Sequence, residues 1–289
     1  MVHFRQLLRS PVFSRARRLV TRAAKARMAR HFLPGERHDD DLFVVEFPKS
    51  GVTWLTFLLA NVNVQLAGDR RAVTYFNLND FVPDVQSISH VSVPRAALPG
   101  YRFFKSHAPY MSEYRKVFYL VRDPRHVMVS YWIFLTGLGW YRGTLEELVA
   151  DRTHGIRAWT RHITGWLDGI HPSASFTLIR YEDLLSSPHA ELGRLYRLLG
   201  MPVTDEIIAT AVERSSIERM REFEAEAAAG HPALQNFEFV RRQAPGTARA
   251  PLREDVREKI EKEAGAMMKR LGYPLEIASR GNTPPLSTP

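Results

Sequence analysis

The sequence predicts one α/β domain with a mostly parallel central sheet flanked by helices. Three observations predict it. Short apolar runs bounded by turn residues stand at Leu42–Phe47, Tyr101–Phe104, Val117–Val121 and Phe176–Arg180. Longer stretches with apolar residues at helical spacing separate most of these runs. Neither an internal repeat nor a strong linker interrupts the chain after residue 41.

The elements follow in order. Residues 1–40 form a basic arm, in which Ala16, Leu19, Val20, Ala23, Ala24, Met28 and Phe32 recur at roughly helical spacing. Pro34-Gly35 ends the helical segment within it, and Asp39-Asp40-Asp41 marks a turn into the first strand, Leu42–Phe47. A tight turn at Pro48-Lys49-Ser50-Gly51 leads into a long apolar helix, Thr53–Leu66. After the strands Tyr101–Phe104 and Val117–Val121, Pro124 opens a helix over Arg125–Leu135, because proline suits the first helical position. Thr144–Ala150 and Ile156–Leu167 are helical, and Phe176–Arg180 is the fourth strand. Pro188–Leu199 is a helix stopped by Gly200. Helical pattern continues over Glu206–Arg214 and Ser216–Ala228, Gly230–Pro251 is irregular, and Arg253–Leu271 closes the domain, which spans residues 41–275. The tail, residues 276–289, has the Pro, Ser and Thr content of a disordered segment.

The charge is unevenly distributed. The 289 residues carry a formal +9, yet residues 1–34 hold nine basic and no acidic residues, leaving 31 of each in the remainder. A neutral body argues against a domain that coats nucleic acid. The arm admits three readings: a helix lying on an anionic membrane surface, a mitochondrial-type targeting segment, or a solvated helix or frayed end. Cysteine is absent, which excludes disulfides, thiolate metal sites and a cysteine nucleophile and fits a reducing, cytoplasmic setting. No run of about 18 apolar residues is present to form a transmembrane helix.

Three constellations carry chemistry. In VVEF-PKSGVTW a strand runs through a small turn into a helix, which aims backbone N–H groups and the helix N-terminus at an anion. Lys49 adds a charge, Ser50 and Thr53 offer hydroxyls, and Gly51 permits close approach. The alternative is a plain strand–turn–helix capped by Ser50. The turn is P-loop-like but lacks the GxxxxGK[ST] spacing, which disfavours an ATPase or kinase of that type. In FFKSHAP, Lys105 and His107 stand two apart at a strand end and so share a face, pairing a cation with a proton acceptor. In VFYLVRDPRHVMVS, Arg122 leaves the strand end where ligands of parallel sheets gather, and Ser130 follows on the helix. Read alone, that segment also allows an Arg122–Asp123 loop salt bridge.

Taken in order, PKSGVTW, FFKSHAPY and YLVRDPRHVMVSYW resemble the cytosolic-type sulfotransferases, with their PKSGTTW-like turn, K-T-H-x-P-like segment and R-(8)-S element. Tyr181-Glu182-Asp183, SSIERM (Ser215–Met220) and FVRRQAPG (Phe239–Gly246) extend the likeness over residues 42–250. The resemblance implies a sulfotransferase that uses 3′-phosphoadenosine 5′-phosphosulfate (PAPS) as donor and no metal. By position, Lys49, Ser50, Gly51, Val52 and Thr53 would wrap the donor's 5′ side, and Trp54 would stack on adenine. Arg122, Ser130, Arg241, Arg242 and Gly246 would hold the 3′-phosphate, and Tyr181 and Ser216 the nucleoside. His107 would be the general base, with Lys105 and Lys49 steadying the transferring group. The acceptor would be a hydroxyl of an apolar or aromatic small molecule, lipid or glycan, met by Phe76, Phe81, Trp132, Phe134, Trp140, Tyr141 and Phe237. Val52, Ser106, Gln243 and Ala248 depart from the family pattern, and Arg253-Glu254 replaces the T-V of its dimer motif. Two other classes remain: a nucleotide kinase-like transferase, and a membrane-peripheral binding protein on the same scaffold.

Overall fold

The structure is a computed structural model that describes residues 32–88, 101–230 and 252–276. Most of the arm, the tail beyond residue 276, and Phe237, Arg241, Arg242 and Gly246 lie outside the described residues. At the centre are four strands: β1 (Asp41–Glu46), β2 (Arg102–Ser106), β3 (Lys116–Val121) and β4 (Ser175–Arg180). Their order is β2-β1-β3-β4, and every pairing is parallel. β1 is buried along its whole length. A central strand covered on both faces has no polar side, which is why its sequence reads as an unbroken apolar run until Glu46.

Helices cover both faces. α1 (Val52–Leu66) leaves β1 and packs on one face, with α8 (Pro188–Leu198) and α9 (Asp205–Arg214). α4 (Pro124–Gly137) leaves β3 and packs on the other, with α5 (Leu145–Ala150), α6 (Ile156–Gly169) and α11 (Glu254–Arg270). The chain thus departs to opposite faces from the adjacent strands β1 and β3. That is the switch point of an open parallel sheet, where the strand ends leave a crevice. The turn at Lys49 and the side chain of Arg122 stand on its two sides.

Local signals hold where the backbone demands them. Pro124 is in the first turn of α4, Asp123 accepts the Arg125 N–H as its cap, and Thr144 and Glu147 form a capping box on α5. Gly200 follows α8 at φ 67, the left-handed turn expected of a helix stop. Three short helices have no counterpart in the sequence reading: α2 (Leu78–Phe81), α3 (Val85–Ile88) and α7 (Tyr181–Ser186). Each has four to six residues, too few for a hydrophobic period to show. The remaining helix, α10, runs Ile217–Gly230.

Candidate active site

The turn after β1 is built from strained backbone. Lys49 sits at φ 76 and Gly51 at φ 112. A left-handed lysine costs free energy that its surroundings must supply. They do so through Glu46, whose carboxylate accepts the Lys49 N–H at 3.2 Å and the Val52 N–H at 2.7 Å. Ser50 corrects one expectation. It does not cap the helix: its hydroxyl donates to the Phe47 carbonyl at 2.9 Å, and Gly51 is the N-cap, without a side-chain bond. The Val52 amide likewise points into the turn, at Glu46. Beyond these bonds, α1 presents its N-terminus to the crevice.

Gly51, Trp54, Arg122 and Tyr181 come together from three separate segments. A Cβ on Gly51 would lie 2.5 Å from Tyr181 Cδ2, so the Tyr181 ring fills the space a side chain would take. Arg122 lies over the other part of that ring, 4.3 Å from its centre, and Trp54 meets it edge-on at 6.0 Å. Arg122 is buried. Asp123 binds Arg125, and Arg125 reaches Glu261 on α11 at 2.9 Å. Trp54 Nε1 donates to the Ser215 carbonyl at 2.9 Å, which fixes the indole against the start of α10. Ser216 accepts the Arg219 N–H with its hydroxyl and so begins that helix. Ser130 is half-buried on α4, two turns beyond Arg122. Glu182 accepts the Asp123 N–H and the Tyr273 hydroxyl, tying β3, α7 and the end of α11 into one wall.

The third group lies where β1 and β2 end. Lys49 Nζ sits 4.4 Å over the Phe134 ring, and Phe134 meets the exposed Trp140 edge-on. Lys105 Nζ is held by Asp84 at 3.0 Å. His107 Nδ1 lies 3.8 Å from Glu46 Oε1. Burial, then the charge of Lys105, pushes the His107 imidazole well below its ordinary value, so it is neutral near pH 7. Burial pushes the Glu46 carboxyl up to about 7, against the Val52 N–H and the charges of Lys105 and Lys49. Lys105 acts on both groups, as expected of residues sharing one face. Behind them, His162 Nδ1 and the Tyr119 hydroxyl share a hydrogen bond of 2.8 Å.

Sequence reasoning did not single out Glu46, Asp84, His162 or Ser215. Glu46 alone left a visible signal, as a carboxylate ending an otherwise apolar strand. The set suits a ligand with a flat ring and separated anions: a ring wall of Trp54 and Tyr181, with cations Lys49 and Arg122 on either side.

Comparison with known proteins identifies the family. Residues 39–272 match the family model of the sulfotransferase domain. Human sulfotransferase 2B1 is 28% identical over 196 residues, covering 63% of this chain and 52% of that protein. Human sulfotransferase 2A1 is 26% identical over 197 residues, covering 64% of this chain and 67% of that protein. The match thus spans about half the length of the first and two thirds of the second. Among solved structures, retinol dehydratase in complex with retinol and PAP has a similar fold, with a TM-score of 0.62, 21% identity and 86% of each chain covered.

Proposed function

The chain belongs to the family of PAPS-dependent sulfotransferases of the cytosolic type, and from that premise we propose that it moves a sulfuryl group from PAPS to a hydroxyl of an apolar or aromatic small molecule, with His107 as general base. The observation that carries the proposal is a buried, neutral imidazole that faces Lys105 and Glu46, with Lys49 acting on the same Glu46, where β1 and β2 end.

The donor-side assignments follow the wall described above. Trp54 and Tyr181 offer ring faces for adenine, a contact worth about 1–3 kcal/mol in comparable base stacks. Arg122, with Ser130 beyond it on α4, suits the 3′-phosphate, because a guanidinium matches phosphate oxygens. Lys49 and the N-terminus of α1 suit the 5′ side. When bound, the donor supplies the sulfuryl group. His107 takes the acceptor's hydroxyl proton as the new O–S bond forms and the bond from sulfur to the 5′-phosphate breaks. Lys49 and Lys105 balance the charge that gathers on the bridging and transferring oxygens, the electrostatic role that dominates this kind of in-line displacement. Lys105 then divides its charge between Asp84 and the reacting group.

The acceptor class is read from Phe134, Trp140 and Phe76. Phe134 touches Lys49, while Trp140 and Phe76 are 72% and 61% exposed, more than core packing allows. The complex of retinol dehydratase with retinol gives a fold neighbour holding an apolar alcohol. No described helix is long and apolar enough to cross a membrane.

Thermal unfolding with nucleotides tests the donor assignment. PAP (3′-phosphoadenosine 5′-phosphate) at saturating concentration raises the Tm by several degrees, and adenosine 5′-phosphate raises it much less. Equal shifts from both would remove Arg122 and Ser130 as a 3′-phosphate site. Tighter binding of ATP with magnesium would favour a kinase-like transferase instead.

A further inference from the structure

The ladder between β1 and β2 ends with Val45 opposite Ser106. One residue further along each chain stand Glu46 and His107. Paired residues of neighbouring strands project to the same side, about 4.8 Å apart, so the sheet's own register sets a carboxyl beside an imidazole. Glu46 Oε1 is 3.8 Å from His107 Nδ1. Nδ1 is buried and makes no hydrogen bond among the described residues. The carboxylate cannot swing away freely, because its two oxygens hold the N–H groups of Lys49 and Val52 and its side chain is only 3% exposed.

We propose that Glu46 is the positioning carboxylate of His107. It accepts the Nδ1 proton, keeps Nε2 unprotonated and turned to the acceptor hydroxyl, and balances the imidazolium that forms when that proton moves. The inference rests on His107 being the base. A shift of under about 1 Å brings the pair to hydrogen-bond distance, and such bonds often tighten only when substrate is bound. The same division of labour holds in hydrolases whose buried aspartate orients a histidine.

The surroundings leave this role to Glu46. Lys49 on the donor turn and Lys105 on β2 favour its ionised form. Asp84 also acts on His107, but its carboxylate is bound to Lys105. From β3 and α6, Tyr119 and His162 face the pair, but burial keeps the Tyr119 phenol protonated and pushes the His162 imidazole down to about 4, so both are neutral. The Glu46 main chain also acts on the His107 ring. Because one carboxylate grips both the donor turn and the base, ordering of the turn and orientation of the imidazole are coupled.

The test uses full-length protein and Glu46→Gln, which removes the charge and leaves the carbonyl. The expected loss in kcat is 10-fold or more and exceeds the loss of PAP affinity, because the amide keeps only one of the two acceptor oxygens that hold the donor turn. In the wild type, kcat/KM rises with pH as Glu46 ionises near 7; in the variant that rise is gone. Nitrogen-15 NMR of the His107 ring, assigned with His107→Gln, shows a wild-type Nδ1–H whose shift follows the same titration. The inference is overturned if Glu46→Gln keeps wild-type kcat and pH profile while His107→Ala is inactive. It also falls if the wild-type ring is protonated on Nε2, or if its Nδ1–H signal ignores pH from 6 to 8. That last measurement decides the matter even if the variant does not fold. An active His107→Ala would overturn the general-base reading itself, and this inference with it.

Discussion

Gly51→Ala tests the donor turn most directly, because two separate costs meet at that atom. The first is backbone. Gly51 sits at φ 112, and a residue with a Cβ held in a left-handed conformation loses about 1–2 kcal/mol. The second is overlap. The added Cβ would stand 2.5 Å from Tyr181 Cδ2 and 2.7 Å from Cε2, well inside contact distance, so the ring must retreat by about 1 Å. That retreat weakens its stack under Arg122, a contact worth about 0.5–2 kcal/mol. Together the substitution costs about 2–4 kcal/mol, or about 5–15 °C in Tm for a domain of this size. Urea and thermal unfolding measure the loss, and PAP titration measures the damaged wall. The two costs separate in a double-mutant cycle with Tyr181→Ala. In that background only the backbone cost remains, so Gly51→Ala should cost about 1–2 kcal/mol less than in the wild type. A change within about 0.5 kcal/mol of wild type, or an identical cost in both backgrounds, would refute the reasoning.

Two further outcomes follow from other parts of the structure. Arg125→Ala leaves the fully buried Glu261 carboxylate without its cation and should lower unfolding stability by about 3–5 kcal/mol, with Arg125→Met plus Glu261→Gln regaining part of it. His162, whose pKa burial lowers to about 4, contributes stability that is complete above its unfolded value of 6.5 and is lost as pH falls through 4. Wild type should therefore lose about 3 kcal/mol relative to His162→Gln between pH 7 and pH 3.5, and a pH-independent difference in urea midpoints would count against this assignment.

The four strands were legible because their burial on both faces leaves an apolar run with turn residues at each end. Pro124 and Gly200 were legible because each answers a backbone demand found nowhere else along the helix. The convergence of Gly51, Trp54, Arg122 and Tyr181 came from motif order rather than local pattern, and the sheet's switch point supplies its physical reason. The alternative of a turn capped by Ser50 does not hold, because its hydroxyl donates to the Phe47 carbonyl and the left-handed Gly51 takes the N-cap position. Glu46 showed only as a carboxylate ending an apolar strand, and its meaning comes from register. Only the pairing of β1 with β2 shows that a strand-ending carboxyl faces a histidine some 60 residues away. Asp84 left no signal at all: its partner Lys105 is distant in sequence, and a lone aspartate before a four-residue helix is ordinary.

The wall of the site is fastened by residues from near the far end of the chain. Tyr273 bonds Glu182, and Glu261 and Glu276 bind Arg125, yet the sheet and both ligand-facing turns are complete in sequence by residue 181. During synthesis the ribosome must therefore add some 90 residues after β4 before the wall can be latched, about 5–18 s at ordinary elongation rates. A chain truncated before α11 would hold the functional side chains without the frame that aligns them.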